Sequence, residues 1–382
     1  MTRIFNIAFT VFNLVALCLP GTVSAQLASK LGLSEKSIHV VLQDPLHQQL
    51  PNSIVQLRGG DEKWVKYSNS GEAIFYLDTL SDAVFQLSAH KDQGLLNGIT
   101  IADLIGLQRH IMNLQPFDNP WQWLAADLDR SNTLDEFDVW QLEQLLLGTQ
   151  TNLERNESYR FIPADHVFAA YPLDWPIPDV LQFQYENQVH REENTVVMEG
   201  IKIGDVDGSS YTDSNEFTSI SMETPTGMLC AGDELIFQLN IQDALTLQGL
   251  QMELAFDSKK ISIEHLVAGN LPDMSCAHIA KSTNNSLAIA WYTVYPEKVA
   301  AKSAVLFIKI KASADCSLDQ LFRLRTNRMM PLALSESGTL SSIRMALVPA
   351  KEDVLSVSSE KVVNLKARSS DVLQARGMPA AW

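Results

Sequence analysis

Between positions 127 and 138 the chain reads D-L-D-R-S-N-T-L-D-E-F-D, a spacing that sharply limits what this stretch can fold into. Counting from Asp127 as position 1, oxygen-bearing side chains fall at positions 3, 5, 9 and 12 as Asp129, Ser131, Asp135 and Asp138. Thr133, at position 7, can add its backbone carbonyl. A hard divalent cation such as Ca2+ takes about six to eight oxygens, and this register winds one turn of chain around a single ion. Position 6 of such a loop calls for positive φ. Asn132 stands there, the most tolerant residue after glycine. Position 12 carries the short Asp138 where an ordinary EF-hand has a bidentate glutamate. The alternative reading is an acidic surface turn that caps the helix behind it.

The rest of the composition suits a cation-holding export protein. Lys and Arg total 29 against 45 Asp and Glu, a net charge of −16, which argues against nucleic acid or an anionic membrane as partner. Arg3, an apolar run over 4–19 and the small residues Val23-Ser24-Ala25 read as a secretory signal peptide spanning 1–25. The run is short and breaks at Pro20-Gly21, so a membrane anchor is the weaker reading, and no later segment reads as transmembrane. Beyond the signal lie Cys230, Cys276 and Cys316, an odd number that permits one disulfide in a pairing that stays open.

Periodicity divides the 382 residues into three segments. Alternating runs at 38–42, 54–57, 73–77 and 83–87, separated by Pro51-Asn52, Gly59-Gly60 and Asn69-Ser70-Gly71, predict a small antiparallel β-sandwich over 37–90. The order of these strands, with I-V-Q-L at 54–57, resembles the transthyretin-like, carbohydrate-binding-like modules of secreted proteins. From 91 to 212 the period turns helical. Leu104, Leu107, Ile111 and Met112 share a face after Asp103, as Leu142, Leu145 and Leu146 do after Asp138. Each of these aspartates is expected to cap its helix and to serve as the last ligand of a loop. Strands return over 216–348, clearest at 234–242, 249–256, 286–292 and 304–311, which predicts a second sandwich. The polar, aperiodic tail at 349–382 is expected to be disordered.

Two loop–helix units about thirty-five residues apart, each with Asp at position 12, resemble a dockerin. The pieces are N-G-I-T-I-A-D-L at 97–104, R-H-I-M at 109–112, Q-P-F-D-N-P at 115–120, A-A-D-L-D at 125–129, Y-R-F-I-P-A-D-H-V-F at 159–168 and I-K-I-G-D-V-D-G at 201–208. The first loop is damaged if read along the chain. With Asp103 at position 12 and Asp92 at 1, positions 3 and 5 become Gly94 and Leu96, which bring no side-chain oxygen. Asp205-Val206-Asp207-Gly208-Ser209 has the look of the missing positions 1, 3 and 5. The expectation is a split site, in which Asp205 and Asp207 join the Gly98 carbonyl, Thr100 and Asp103 around one ion. The alternative is that D-V-D-G is a polar turn into the next domain. The resemblance implies partner recognition at loop positions 10 and 11 and on the helices. The loop positions hold Ile101-Ala102 and Glu136-Phe137 in place of the family's small hydroxyl residues, and the helix positions that join them hold Gln108-Arg109 and Glu143-Gln144.

Ala231-Gly232-Asp233, the strand 249–257 ending in F-D, A-I-A-W-Y at 288–292 and V-L-F-I-K-I-K at 305–311 together resemble a cohesin, a jelly-roll β-sandwich. The resemblances imply a multidomain chain: a transthyretin-like all-β sandwich, a helical dockerin-like calcium module and a cohesin-like all-β sandwich. They also imply an exported adaptor that contacts secreted or cell-surface proteins, with a link to polysaccharide catabolism. The second reading is a carbohydrate-binding surface protein in which calcium only stiffens the linker. Catalysis is not expected, since there is no H-E-x-x-H, G-x-S-x-G, Cys-x-x-Cys or phosphate-cradling glycine loop. The tryptophans Trp121, Trp123, Trp140 and Trp175 read as core residues rather than a sugar-stacking platform.

Overall fold

The computed structural model describes residues 36–77, 84–168, 177–184, 194–211, 218–282 and 285–349. The expected signal peptide, the tail and Trp175 lie outside them. Among the described residues no helix is long and apolar enough to cross a membrane. The chain forms two compact units.

The first unit holds the described residues of 36–91 together with 161–167 and those of 177–200. It is a sandwich built from β1 (Lys36–Gln43), β2 (Ser53–Gly59), β3 (Glu62–Ser68), β4 (Glu72–Leu77), β5 (Val84–His90), β6 (Tyr159–Pro163), β7 (Leu181–Gln184) and β8 (Asn194–Lys202). One sheet runs β4-β1-β8-β6 and the other β3-β2-β5-β7. Alternation puts Val55 and Leu57 of β2, Phe75 of β4 and Phe85 and Leu87 of β5 inside, and leaves Ile54 and Val84 outside. The boundaries expected at 37–90 and 91–212 therefore need correction. β1 pairs in parallel with β8, Ile38 opposite Asn194 through Gln43 opposite Glu199, and β5 pairs with β7. The five strands β1–β5 alone would leave β1 and β5 with open edges, and the later strands cover them. β3 gives no alternating signal because its lysines and glutamate face solvent along a sheet edge.

The second unit holds 92–160, Phe168 and the described residues from 201 to 349. Its helical part contains α1 (Ile101–Ile111), α2 (Pro120–Ala126) and α3 (Glu136–Leu147). α2 was not expected, although Asn119 as cap followed by Pro120 at the first helical position is a start signal. Leu104, Leu107, Leu124, Leu128, Leu142, Leu145 and Leu146 are buried in this part. The helix caps are not Asp103 and Asp138 as expected. Thr100 and Asp135 hold the cap positions, and the two aspartates sit at the third helical position, closing capping boxes onto the cap backbone N–H. Lys202 is fully buried, its ammonium donating to the carbonyls of Leu95 (2.6 Å), Ser158 (3.3 Å) and Ile203 (3.4 Å).

The remaining strands build the second sandwich: β9 (Thr218–Thr226), β10 (Met228–Leu229), β11 (Glu234–Ile241), β12 (Leu245–Phe256), β13 (Ile261–Ala268), β14 (Ile279–Ser282), β15 (Ser286–Val299), β16 (Ala304–Ala312), β17 (Cys316–Ser317), β18 (Phe322–Arg325), β19 (Leu332–Ser335) and β20 (Leu340–Pro349). The main strand path is β13-β16-β11-β9-β20-β19-β12-β15-β14, with β18 also on β12. β9 and β20 pair in parallel, Ser341 opposite Thr218 through Pro349 opposite Thr226. Phe237 and Leu239 of β11, Leu250, Met252 and Leu254 of β12, Leu287, Ile289 and Trp291 of β15 and Ile308 of β16 fill the core between the layers. The three described cysteines are free thiols: Cys230 exposed, Cys276 half-buried and Cys316 buried.

Candidate metal centres

Two groups of three carboxylates in the second unit place their oxygens within 4.8 Å of one another: Asp127, Asp129 and Asp138, and Asp103, Asp205 and Asp207. In the first group the loop closes on itself. The backbone N–H of Ser131 donates to Asp127 Oδ1 (2.9 Å) and to Asp129 Oδ1 (2.9 Å), and Ser131 Oγ donates to the Thr133 carbonyl (3.1 Å). Leu128 N–H donates to Asp138 Oδ1 (2.9 Å) and Asp135 N–H to Asp138 Oδ2 (3.0 Å). Asn132 takes φ 65° at position 6. Asp135, expected among the ligands, is exposed and spends a carboxylate oxygen on Phe137 N–H (2.8 Å) as the helix cap.

The second group repeats this scheme with the chain cut. Ser209 N–H donates to Asp205 Oδ1 (3.0 Å) and Asp207 Oδ1 (2.9 Å), and Ser209 Oγ donates to the Gly98 carbonyl (3.0 Å). Val206 N–H donates to Asp103 Oδ1 (2.8 Å) and Thr100 N–H to Asp103 Oδ2 (2.7 Å). Bond for bond, Asp205, Asp207, Ser209, Gly98 and Asp103 stand where Asp127, Asp129, Ser131, Thr133 and Asp138 stand in the continuous loop. Asp92, position 1 of the damaged reading, is elsewhere, accepting from Ser158 N–H (3.0 Å) and Oγ (2.9 Å). Ser209 and Ser131 are equivalent; the D-V-D-G-S spacing carries that signal.

Electrostatics press both groups toward a cation. Burial, with the charges of Asp207 and Asp205 added, pushes the Asp103 carboxyl well above the usual carboxylate range. Burial raises Asp205 to about 7, Asp138 to about 7 and Asp127 to about 6. Arg160 was not anticipated. Its buried guanidinium lies 3.7 Å from Asp127 Oδ2 and opposes that rise, while Asn156 Nδ2 donates to the Asp127 carbonyl (2.9 Å). The residues fit Ca2+: the donors are all oxygen, the span suits ligands about 2.3–2.6 Å from a common centre, and the fully buried Asp127 Oδ2 lacks a hydrogen-bond donor.

Gly98 makes the split closure possible. At φ 76°, a Cβ there would lie 2.3 Å from Ser210 Cβ and 2.7 Å from Ser210 Cα. Gly98→Ala is expected to cost about 1–3 kcal/mol and to weaken the divided site while leaving the continuous loop alone. Thermal unfolding in calcium checks it, and an unchanged midpoint refutes the closure.

The recognition positions named from the dockerin resemblance divide unequally. Ile101 is buried and its N–H donates to Gln251 Oε1 of β12 (2.6 Å). Arg109 donates twice to the Val294 carbonyl of β15 (3.1 and 2.8 Å). Glu136 is exposed and Phe137 stacks on Trp140 at 5.3 Å. His110 Nδ1 accepts from Phe117 N–H (2.9 Å). Trp121, Trp123 and Trp140 are half-buried, Trp121 against Phe168 and Trp123 against His110.

No protein-family model matches the sequence, and no curated protein matches it. Among solved structures the chain is similar to a non-cellulosomal cohesin from the archaeon Archaeoglobus fulgidus, at 9% identity over 36% of this chain and 95% of that one, TM-score 0.25. It is similar to a type II cohesin domain from the cellulosome of Acetivibrio cellulolyticus, at 12% identity over 36% of this chain and 98% of that one, TM-score 0.26. A chain of a type I cohesin–dockerin complex from Clostridium thermocellum aligns at 9% identity over 36% of this chain and 100% of its own, TM-score 0.27.

Proposed function

We propose that this chain is an exported, non-catalytic calcium-binding adaptor, a dockerin-like helical module joined to a cohesin-like sandwich, that takes part in extracellular protein assembly. The observation that carries the reading is the repeated hydrogen-bond scheme of the two carboxylate groups. One is closed by a continuous loop, the other by segments about a hundred residues apart in sequence. Bound Ca2+ would supply a charge that holds three carboxylates together. Asp127, Asp129 and Asp138, with the Ser131 and Thr133 oxygens, would hold one ion. Asp103, Asp205 and Asp207, with Ser209 and the Gly98 carbonyl, would hold the other. The chain's own contribution is to fix each aspartate by backbone N–H donors before the ion arrives, so little order remains to be imposed on binding.

A second reading, glycan binding, is favoured by a groove lined by Gln108, Met112, Asp273, Tyr292, Tyr295 and Glu297, with Tyr295 exposed beside two carboxylates. Capture of secreted proteins by the immobilised chain in calcium, compared with EGTA, tests the first reading; a glycan array tests the second. Calcium-dependent capture of a defined protein with a blank array is expected. Glycan binding without any protein capture would reverse the order, and release of reducing sugar from a polysaccharide, lost on mutating one carboxylate pair, would overturn the non-catalytic assignment.

A further inference from the structure

The outer face of β12, β15 and β19 is covered by the chain's own helices. α1 lies against all three strands, and α3 lies against β15 and β14. The residues on this face differ in kind from those of the core beneath it. Gly249, Ala288 and Ala290 form a low centre, where a Cβ on Gly249 would lie 2.7 Å from Ile101 Cγ1 and 3.0 Å from Ile105 Cδ1. Around that centre, polar side chains address backbone. Gln251 accepts from Ile101 N–H at the start of α1 and donates through Nε2 to the Met330 carbonyl (2.9 Å). At the end of α3, Arg328 Nη1 donates to the carbonyls of Leu145 (3.2 Å) and Leu146 (2.9 Å). Its Nε is held by the buried Glu253 at 2.9 Å, and Glu253 is also paired with Arg325 at 3.2 Å. Arg109, donating from α1 to the Val294 carbonyl, completes the set.

Two interiors meet here within the second unit. The sandwich core is drawn entirely from residues beyond 221 and includes none of Gly249, Gln251, Glu253, Ala288 or Ala290. The helices keep a separate leucine interior, and the segment carrying Asp205 and Asp207 closes that module on itself through Asp103. A small-residue platform ringed by polar groups that bond to backbone across the contact has the anatomy of an interface between partners: an apolar centre with hydrogen-bonded polar groups at its margin.

We propose that β14, β15, β12 and β19 form a docking face for a pair of helices, and that this chain fills the face in cis with its own helical module. The occupant is part of the molecule, so the face is closed to partners in trans while it stays seated. Partner recognition by the helical module is left to surface that remains open, such as that around Glu136 and Phe137. Freed from its own face, the module of one copy seats on the open face of another.

The test mixes two full-length chains in calcium. Gly249→Phe blocks the sheet face and leaves the helices intact. The double variant Ile101→Lys, Ile105→Lys blocks the helices and leaves the face intact. Each alone is expected to sediment as a monomer, and an equimolar mixture as a one-to-one heterodimer. A mixture that stays monomeric, with both variants keeping the far-UV circular dichroism of the wild type, overturns the proposal. Should either variant fail to fold, native-state hydrogen exchange on the wild type decides. Undocking before global unfolding should leave the α1 and α3 amides at least about tenfold less protected than those of β12 and β15. Equal protection would make the helices and sandwich one inseparable fold and sink the proposal.

Discussion

In EGTA, the melting temperature of this protein should fall as pH rises from 5 to 8, and saturating calcium should abolish or reverse that trend. The sign follows from the buried aspartates. Asp127, Asp138 and Asp205 are raised by burial to about 6, 7 and 7, and Asp103 is raised in the same direction. In the unfolded chain each titrates near 3.9. Between about pH 4 and 7 the native state therefore holds more protons than the unfolded one, so stability declines across that window and levels off above it. Asp127 alone accounts for roughly 3 kcal/mol, because the folded chain holds its proton about a hundredfold more tightly than the unfolded chain does. Calcium demands the deprotonated carboxylates, so its affinity should climb over the same window. Thermal scans at pH 5 and 8, with and without calcium, check both limbs. A calcium-free midpoint that rises from pH 5 to 8 would contradict the assignment of these groups.

Asp103→Ala should destabilise the chain by about 3–5 kcal/mol even without calcium and by more with it, whereas Asp205→Ala with Asp207→Ala should matter only in calcium. The difference lies in what each carboxylate holds. Asp103 is fully buried and accepts from Thr100 N–H, Val206 N–H and Asp207 N–H (3.1 Å), donors that are stranded when it is removed. Asp207 is exposed, and Asp205, though buried, accepts from Ser209 and Ser210, which are only half-buried. Deleting that pair mainly deletes ligands, and the loss is the linkage free energy, about 2.7 kcal/mol at a hundredfold excess of calcium over Kd. The calcium-free double variant should melt unchanged or slightly higher, because two like charges beside Asp103 are gone. Equal destabilisation of the double variant in EGTA and calcium would mean that Asp205 and Asp207 are structural props.

Much of this was legible in the chain because local chemistry decides it. Strands with clean alternation, such as Ser53–Gly59 and Glu234–Ile241, announce a one-sided core. The D-x-D-x-S spacing at 127–131 and 205–209 announces two half-loops, since oxygen ligands at alternate positions have few other uses. What stayed hidden depends on contacts distant in sequence. The strands at 194–202 and 181–184 join the first sandwich by pairing with β1 and β5, and the strand at 159–163 joins it beside β8, pairings that no local pattern specifies. Arg160 reaches Asp127 across more than thirty residues. One further signal is local: β15 alternates Leu287, Ile289 and Trp291 with Ala288 and Ala290, apolar on both faces. A strand buried on both sides needs a second cover, and the helices provide it.

Calcium counted by isothermal titration of the full-length chain tests the central claim most directly. The wild type should bind two ions, and Asp127→Ala should bind one. Asp205→Ala with Asp207→Ala should also bind one, although those residues lie about a hundred positions from Asp103. Two ions still bound by that double variant, or fewer than two by the wild type, would contradict the split site.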